Sequence, residues 1–245
     1  MDNAVFVGLS RQMLLRREMD IIANNIANMD TTGFKVESLR QKTDPSEPAV
    51  TLGGPRPVKF VAADGVDRDF GQGVLTKTGG AFDMAIDGKG FFQIQTETGP
   101  RFTRDGRFTL DPSGKLVTQG GHAVLDDGGS EIIIDPQKGA VAIGPDGSMS
   151  QGAERVGKVG MFTFANAGVL EKTGDNLYKN TSNSHPAPAS ASLIRQGMLE
   201  SSNVNSIAQI TRMLEVTRAY ESMAKMMDNA ADLSRRSIER MGRVQ

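Results

Sequence analysis

Residue types with distinctive chemistry are rare or missing in this sequence. Its 245 residues include no cysteine, no tryptophan and two histidines, His122 and His185. The absence of cysteine excludes disulfides, iron–sulfur clusters, thiol nucleophiles and cysteine-ligated zinc, and it suits any redox compartment. Metal-binding and nucleophilic chemistry therefore has few residues to use.

Neither sign of charge is in excess. The 28 Lys and Arg residues balance the 29 Asp and Glu residues, which leaves a net charge of −1. Proteins that bind nucleic acid or an anionic membrane by electrostatics usually carry a basic surplus. The composition therefore gives no reason to expect either as the main partner.

Long apolar runs are also missing. A Sec signal requires a basic segment, an apolar stretch of about 7–15 residues and a small-residue cleavage site. Here only eight uncharged residues separate Asp2 from Arg11. The neutral run 180–194 is polar and contains two prolines, whereas a membrane helix needs about 18 apolar residues. We expect no membrane span and no Sec signal, so any export would use dedicated machinery that reads an uncleaved N-terminus.

Glycine and proline are concentrated in the middle of the chain. Of the 28 glycines, 26 lie between Gly33 and Gly197, and all 10 prolines lie between Pro45 and Pro188. Because both residues interrupt helices, the distribution predicts an α+β protein. Its discontinuous N- and C-terminal helices would form a coiled-coil-like α domain around a central, mainly antiparallel β domain. The predicted segments are terminal helices at 1–30 and 200–245, extended connectors at 31–80 and 180–199, and a β-rich domain at 81–179.

The N-terminal segment has helical periodicity. Leu15, Met19, Ile22 and Ile26 advance by four, three and four residues, which is the spacing of a packed helix seam. Val5 continues this stripe toward the N-terminus through the weak positions Gly8 and Gln12. The pattern predicts a helix with one buried face.

The C-terminal segment is longer and carries more apolar surface. Residues 198–241 include neither glycine nor proline, and a helix of that length would reach about 60 Å. Two apolar stripes run along it: Met213, Val216, Tyr220, Met223, Met227 and Ala230 form one, and Ile207, Ile210, Leu214 and Thr217 form the other. Two stripes indicate more than one neighbour. They are explained either by pairing within the chain with methionines filling the core, or by additional contacts with other subunits.

The period changes in the middle of the chain. Residues 81–87, 91–95 and 107–111 alternate between apolar and polar, and turn clusters with Asp-Gly or Gly-Gly separate such segments. Asp-Gly between alternating segments is a strong hairpin signal. The pattern predicts a compact antiparallel β domain.

Motifs for catalysis and cofactor binding are missing or incomplete. No Gly-Lys-Ser/Thr is present, and Gly88-x-Gly90 precedes a strand-like segment where dinucleotide binding requires a helix. His122 and His185 lie in turn-like sequence without a nucleophile elbow, and the acidic pair at Asp126 lacks the ligands of a calcium loop. The sequence predicts no catalytic, cofactor-binding or metal-ligating residues. Two of the 29 Asp and Glu residues could still form the carboxylate pair of a glycosidase, so that enzyme class stays open.

Three blocks of sequence resemble the flagellar axial proteins, the family of rod, hook and hook-associated proteins. The blocks follow one another in the order and spacing of the hook and rod subset. They are Ala23–Asn28 with Thr31–Lys35, then Phe82–Phe92 with Phe102–Phe108 and Gly114–Thr118, and finally Leu199–Asn205 with Arg218–Glu221. The length resembles the two larger rod types, and the opening Met1–Ser10 favours the proximal-rod type over the distal-rod type.

The resemblance implies a structural, non-enzymatic rod subunit that the flagellar type III apparatus exports without signal cleavage and that assembles helically in the periplasm. The implied partners are further copies of the chain, other proximal and distal rod proteins, and the export apparatus, with no nucleic acid and no cofactor. A distal-rod or hook-family subunit stays open as an alternative. So does a cell-wall-acting enzyme with a carboxylate pair within 81–180, because a rod must cross peptidoglycan.

Candidate assembly residues come from the apolar stripes and from the terminal blocks. Among the block residues, Asn24, Asn25 and Asn28 are expected either to donate to backbones of other subunits or to cap the first helix. Gly33 is expected to supply a turn with Phe34 packing beside it. The full candidate set is Leu15, Met19, Ile22, Asn24, Asn25, Ile26, Asn28, Gly33, Phe34, Asn203, Asn205, Ile207, Ile210, Leu214, Arg218, Tyr220, Glu221, Met223 and Met227.

The C-terminal block contributes two further expectations. Asn203 and Asn205 flank the predicted start of the second helix, so they are expected to cap it first and to contact other subunits second. Arg218 and Glu221 lie three residues apart, so they would form an ion pair within the helix, worth about 0.2–0.5 kcal/mol, or bridge to another subunit.

Overall fold

The computed structural model describes residues 2–44, 48–49, 56–57, 60–182 and 185–242. The chain is α+β, as predicted, with a long helix at each end, α1 (Asp2–Ala27) and α2 (Ser206–Gly242), and strands between them. In chain order the strands are β1 Glu37–Asp44, β2 Pro48–Ala49, β3 Arg56–Pro57, β4 Phe60–Arg68, β5 Leu75–Lys77, β6 Met84–Asp87, β7 Phe91–Thr96, β8 Gly99–Thr103, β9 Phe108–Leu110, β10 Leu116–Thr118, β11 Ala123–Val124, β12 Val141–Ile143, β13 Ser148–Gln151, β14 Glu154–Lys158, β15 Met161–Thr163, β16 Leu170–Gly174, β17 Leu177–Asn180, β18 Ala187–Pro188, β19 Leu193–Gln196 and β20 Met198–Glu200. A 3-10 turn, Ala167–Val169, precedes β16.

The chain divides into two compact units. Unit 1 comprises Met1–Ala27, Glu37–Arg68 and Asn205–Gln245, and unit 2 comprises Asn28–Val36 and Asp69–Val204. Each unit is therefore assembled from segments that are distant in the sequence.

Unit 1 contains both helices and a long pair of strands. β1 and β4 pair antiparallel from Glu37↔Arg68 to Asp44↔Phe60, and Arg68 Nε donates to Glu37 Oε1 at 2.7 Å. The sequence predicts an extended connector over 31–80, whereas several parts of that segment are paired strands. Weak alternation gave no sign of pairing, because the pairing depends on a partner strand that the local pattern does not reveal.

Some of the predicted connectors cannot be compared with the structure. Residues 45–47, 50–55 and 58–59 of the first connector and 183–184 of the second lie outside the described residues.

Unit 2 is built from antiparallel strands. Its main sheet has the order β16-β17-β8-β7-β11-β10-β9, with β15 paired to β7 and β18 paired to β15. Smaller groups are β12-β13-β14, β19-β6 and β20-β5. Phe92, Ile94, Leu116 and Met149 lie at the centre of its apolar core, fully buried. The alternating segments of the sequence are β6, β7 and β9, so these strand predictions are confirmed.

Two of the Asp-Gly turns do not close hairpins. The turn at 87–90 connects β6 to β7, but β6 pairs with β19 from the far end of the chain. Similarly, the turn at 105–106 joins β8 to β9, which pair with other strands. A Cβ added to Gly106 would lie 1.6 Å from Met84 O, so this glycine is required by close backbone approach and not by a hairpin. Within the described part of the chain, no helix is long and apolar enough to cross a membrane.

Candidate assembly surface

The two helices of unit 1 pack through the first predicted stripe. Leu15 and Ile22 of α1 and Val216 of α2 form the buried centre of this seam. Partly buried residues packed against the centre are Met19, Ile26, Met213 and Tyr220. The α1 stripe therefore faces α2 of the same chain, which is the pairing that its spacing predicts.

Specific contacts fix the direction of the helix pair. Gly8 lies at Met227, since a Cβ added there would lie 3.2 Å from Met227 Cγ and 3.8 Å from Met223 Sδ. Farther along, Arg212 Nη2 donates to Glu18 Oε1 at 2.6 Å. Gly8, near the start of α1, lies at Met227, whereas Glu18, later in α1, contacts Arg212, which is earlier in α2. The two helices are therefore antiparallel. Met227 fills the space that a larger side chain at position 8 would occupy, which explains the glycine at this position of the apolar stripe.

Asn25 has neither of the two roles expected for it. Its side chain is buried, and its Oδ1 accepts from Glu37 N at 2.9 Å while its Nδ2 donates to Glu37 O at 2.7 Å. Nδ2 also lies 3.2 Å from Gln209 Oε1. The amide therefore joins α1 to the start of β1 and to α2 within one chain, and the expectation of an intersubunit donor or a fraying cap is wrong for this residue.

The neighbouring asparagines differ from Asn25. Asn24 is exposed, whereas Asn28 is half-buried at the turn after α1. Thr31 N donates to Asn28 O at 3.1 Å, and Thr31 Oγ1 donates to Asn28 Oδ1 at 3.2 Å. These contacts hold Asn28 to the turn after α1, so capping of α1 and contact with other subunits both stay predictions for this residue.

Three residues of the second stripe of α2 face away from α1, whereas the fourth, Thr217, is half-buried and its Oγ1 lies 3.7 Å from Met19 Sδ of α1. Ile207, Ile210 and Leu214 are 77%, 51% and 55% exposed. They follow a helical spacing of three and four residues, so they form one continuous strip, named here the outward strip. Large apolar side chains clustered on one face are a typical mark of an interaction surface.

Arg218 and Glu221 are both exposed. Within the described part of α2 they form no ion pair with each other, so the bridge to another subunit stays a prediction. The ion pairs on this part of α2 belong instead to Arg212, which also contacts Glu215 at 3.2 Å. Tyr220 lies between Arg218 and Glu221 in sequence but packs against the helix seam. Arg212 has the better geometry because Glu18 of α1 lies within its reach.

Gly33 supplies the turn predicted for it. Its φ is +68°, and a Cβ there would lie 2.5 Å from the Arg104 carbonyl carbon. Only glycine fits this position without strain. Phe34 is buried directly after it, with Lys172 Nζ 4.4 Å from the ring centroid.

The two asparagines before α2 have different roles. Asn205 caps the helix, because its Oδ1 accepts from Ala208 N at 3.1 Å, as expected. Asn203 does not cap. Its Oδ1 accepts from Val36 N at 2.8 Å and its Nδ2 donates to Asp69 O at 2.8 Å. The capping prediction for Asn203 is wrong because the helix begins three residues later.

Unit 2 also contains a buried group of charges that the sequence patterns do not reveal. Lys35 Nζ lies 2.5 Å from Glu200 Oε1, and Arg104 Nη1 lies 2.9 Å from Glu200 Oε2. Glu200 Oε1 also accepts from Gly73 N at 2.9 Å. All three charged side chains are almost completely buried. We name Lys35, Arg104 and Glu200 the charged cluster.

The charged cluster places two cations around one carboxylate. Burial lowers the pKa of Lys35, and the attraction of Glu200 partly opposes that shift. Burial likewise lowers the pKa of Arg104. Backbone carbonyls complete the site, since Lys35 Nζ donates to Gly71 O and Arg104 Nη2 to Gly88 O, each at 2.7 Å.

A sequence signal for the charged cluster did exist. Each of its residues belongs to a different one of the three family blocks, and the structure brings the blocks together at this point. Periodicity could not reveal it, because the contacts join positions up to 165 residues apart. Among the described residues, no group of three or more His, Asp and Glu is placed to hold a metal ion.

Comparisons with known proteins agree with the blocks. Three family models match: "Flagella basal body rod protein" over residues 7–35, "Flagellar hook protein FlgE/F/G D1 domain" over 85–151, and "Flagellar basal body rod FlgEFG protein C-terminal" over 195–240.

Relatives of known type match the whole chain. The flagellar basal-body rod protein FlgF of Caulobacter vibrioides is 58% identical over 100% of both chains. FlgF of Mesorhizobium japonicum is 35% identical over 99% of both chains. The rod protein FlgG of Bacillus subtilis is 32% identical over 94% of this chain and 96% of its own. These names describe structural rod proteins and not enzymes, and the chain belongs to the family of flagellar basal-body rod proteins, with FlgF proteins among its full-length relatives.

Proposed function

We propose that this structural rod subunit polymerises helically through its terminal helices. In this proposal the α1–α2 pair is a coiled-coil-like axial domain, and the β-rich unit 2 is the outer domain. The outward strip contacts other subunits of the rod, while the α1 stripe stabilises each subunit internally.

The observation that carries the proposal is the exposure of the outward strip. Ile207, Ile210 and Leu214 lie on a helix that already buries its other face against α1. A second copy related by a screw operation meets a different surface of the first, and such contacts generate filaments. Covering this strip would remove three large apolar side chains from water in each subunit.

Leu214→Glu tests the proposal in the whole chain. We expect this variant to fail to restore motility to cells that lack the protein, because a carboxylate would be buried at the subunit contact. The free energy of unfolding of the purified monomer should change by less than about 0.5 kcal/mol, because the side chain is exposed there. Motility and chemical denaturation are the two measurements.

Ser222→Glu is the matched control. It introduces the same charge at an exposed position of α2 outside the outward strip, and motility should be retained. Full motility of the Leu214→Glu variant would show that the outward strip is not an assembly contact.

We further propose that the subunit lies in the proximal part of the rod, in the periplasm, after export by the flagellar type III apparatus with an uncleaved N-terminus. The resemblance of the opening residues and the similarity to FlgF relatives support this position. A photo-crosslinker at Ile210 should capture proximal rod proteins, and capture of hook proteins alone would contradict it. Export should stop in cells without a working type III apparatus, and mass spectrometry of assembled protein should find the intact N-terminus.

A further inference from the structure

Residues 197–204, named here the strap, lie between β19 and α2 and pair with β5. Met198, Leu199 and Glu200 are in antiparallel register with Lys77, Thr76 and Leu75. The pairing continues at one end, where Gly197 O accepts from Thr78 N at 2.8 Å and Gly79 N at 3.0 Å. One side of the strap is thus bonded to residues 75–79.

The strap also bonds the segment that follows α1 in the chain. Gly33 N donates to Glu200 O at 2.7 Å, and Val36 N donates to Asn203 Oδ1 at 2.8 Å. Asn203 N in turn donates to Phe34 O at 3.4 Å. Residues 33–36 therefore depend on the strap for the partners of several backbone groups.

The fit between the strap and unit 2 is close. A Cβ added to Gly73 would lie 1.9 Å from Ser201 O. This contact leaves no room for a side chain at position 73, so the strap lies directly on the 71–73 backbone. A segment that is displaced even slightly would lose these contacts together.

The docked position of the strap also depends on ion pairs, in addition to close packing. Among the described residues, Glu200 is the carboxylate in ion-pair contact with Lys35 and with Arg104, and it is carried by the strap. Without the strap, two buried cations would lack this counter-charge, and uncompensated buried charge is strongly destabilising. The closed arrangement of unit 2 is thus tied to the presence of Glu200.

We propose that the strap is a charge-dependent closing element of unit 2. Its docking brings Glu200 to Lys35 and Arg104 and orders residues 33–36 and 73–79 in one cooperative step. The chain segments that follow α1 and precede α2 become fixed together only when the strap is docked. This proposal concerns unit 2 alone and does not rest on the proposed function.

Hydrogen exchange of the purified full chain tests this coupling, with Glu200→Gln as the variant. We expect the amides of 33–36 and 73–79 to exchange at least about tenfold faster, because the neutral amide cannot compensate two buried cations. Amides of the β12-β13 pair, at 141–151, should lose protection by a smaller factor than these two segments, because they lie outside the strap and the charged cluster. Asp87→Asn is the matched control, because it removes the exposed ion pair between Asp87 and Arg195, a residue that lies just before the strap in the sequence. This variant should leave the exchange rates of all these amides unchanged.

Asn203→Ala provides a second, uncharged perturbation of the strap. If the strap is one closing element, this variant also accelerates exchange throughout both segments, including 73–79, although Asn203 lies outside the charged cluster. If the Glu200→Gln protein does not fold, exchange in the Asn203→Ala variant alone tests the proposal. Faster exchange at Val36 only, opening of one segment without the other, or equal loss of protection at 141–151 would each overturn the proposal.

Discussion

Lys35 and Glu200, 165 residues apart in the sequence, form an ion pair with an Nζ–Oε1 distance of 2.5 Å and no exposed side-chain surface. Arg104 uses the other oxygen of the same carboxylate. The charged cluster therefore has an excess of positive charge in the interior of unit 2. Removing the anion and removing one cation should consequently have unequal effects.

Glu200→Gln should destabilise the protein far more than Lys35→Met. The first change leaves two buried cations without their carboxylate and should cost about 3–5 kcal/mol in the free energy of unfolding. The second leaves a neutral Arg104–Glu200 pair beside an apolar side chain of similar length, at a cost of about 1–2 kcal/mol. Urea denaturation of each purified variant measures the difference.

The double variant Lys35→Met, Glu200→Gln provides the control for this comparison. One buried cation then lacks its counter-charge instead of two, so the double variant should be more stable than Glu200→Gln alone. Strictly additive losses would contradict the shared-carboxylate explanation.

Stability should depend on pH through Lys35. Because burial lowers the pKa of Lys35 below its ordinary value of 10.5 in the folded protein, the unfolded state binds more protons between the lowered pKa and 10.5. The free energy of unfolding therefore rises with pH across that window. Denaturation at several pH values should show this rise in the wild-type protein relative to Lys35→Met.

The exposed lysines have the opposite influence at a different pH. Ion pairs with Glu131 and Glu154 raise the pKa values of Lys115 and Lys138, so their contribution is present below 10.5 and is lost only above it. Subtracting the Lys35→Met curve removes that contribution. A difference curve that falls with pH below 10.5 would contradict the assignment to Lys35.

Local patterns could be predicted from the sequence, and contacts between distant segments could not. The spacing of Leu15 and Ile22 predicted the helix seam because a single helix face determines it. The exposed outward strip followed from the same period. The prediction that Asn203 caps α2 was wrong because its hydrogen-bond partner, Val36, lies 167 residues away in sequence, and no local pattern indicates such a partner. The pairing of β1 with β4 was missed for a similar reason, because the sequence of neither strand indicates which strand it pairs with.

Asn25→Ala should destabilise unit 1, whereas Asn24→Ala should have little effect. Asn25 is buried and exchanges two hydrogen bonds with the backbone of Glu37, so its loss leaves buried polar groups unsatisfied at a cost of about 2–3 kcal/mol. Asn24 is exposed, and its replacement should cost less than about 0.5 kcal/mol. Thermal unfolding followed by helix circular dichroism compares the two, and equal losses would show that the Asn25 contacts are not specific.

Gly33→Ala should be much more destabilising than Gly79→Ala, although both glycines have positive φ angles of +68° and +77°. At Gly79 an added Cβ meets nothing within 4 Å, so the cost is the backbone conformation alone, about 1 kcal/mol. At Gly33 the Cβ would also lie 2.5 Å from the Arg104 carbonyl carbon. Backbone atoms cannot yield as a flexible side chain does, so relief requires displacing the 31–35 turn from Arg104 and its contact with Glu200. The measured free energy of unfolding should fall by at least about 3 kcal/mol for Gly33→Ala. Equal costs at the two positions would mean that the turn has room to move and does not fix Arg104 in place.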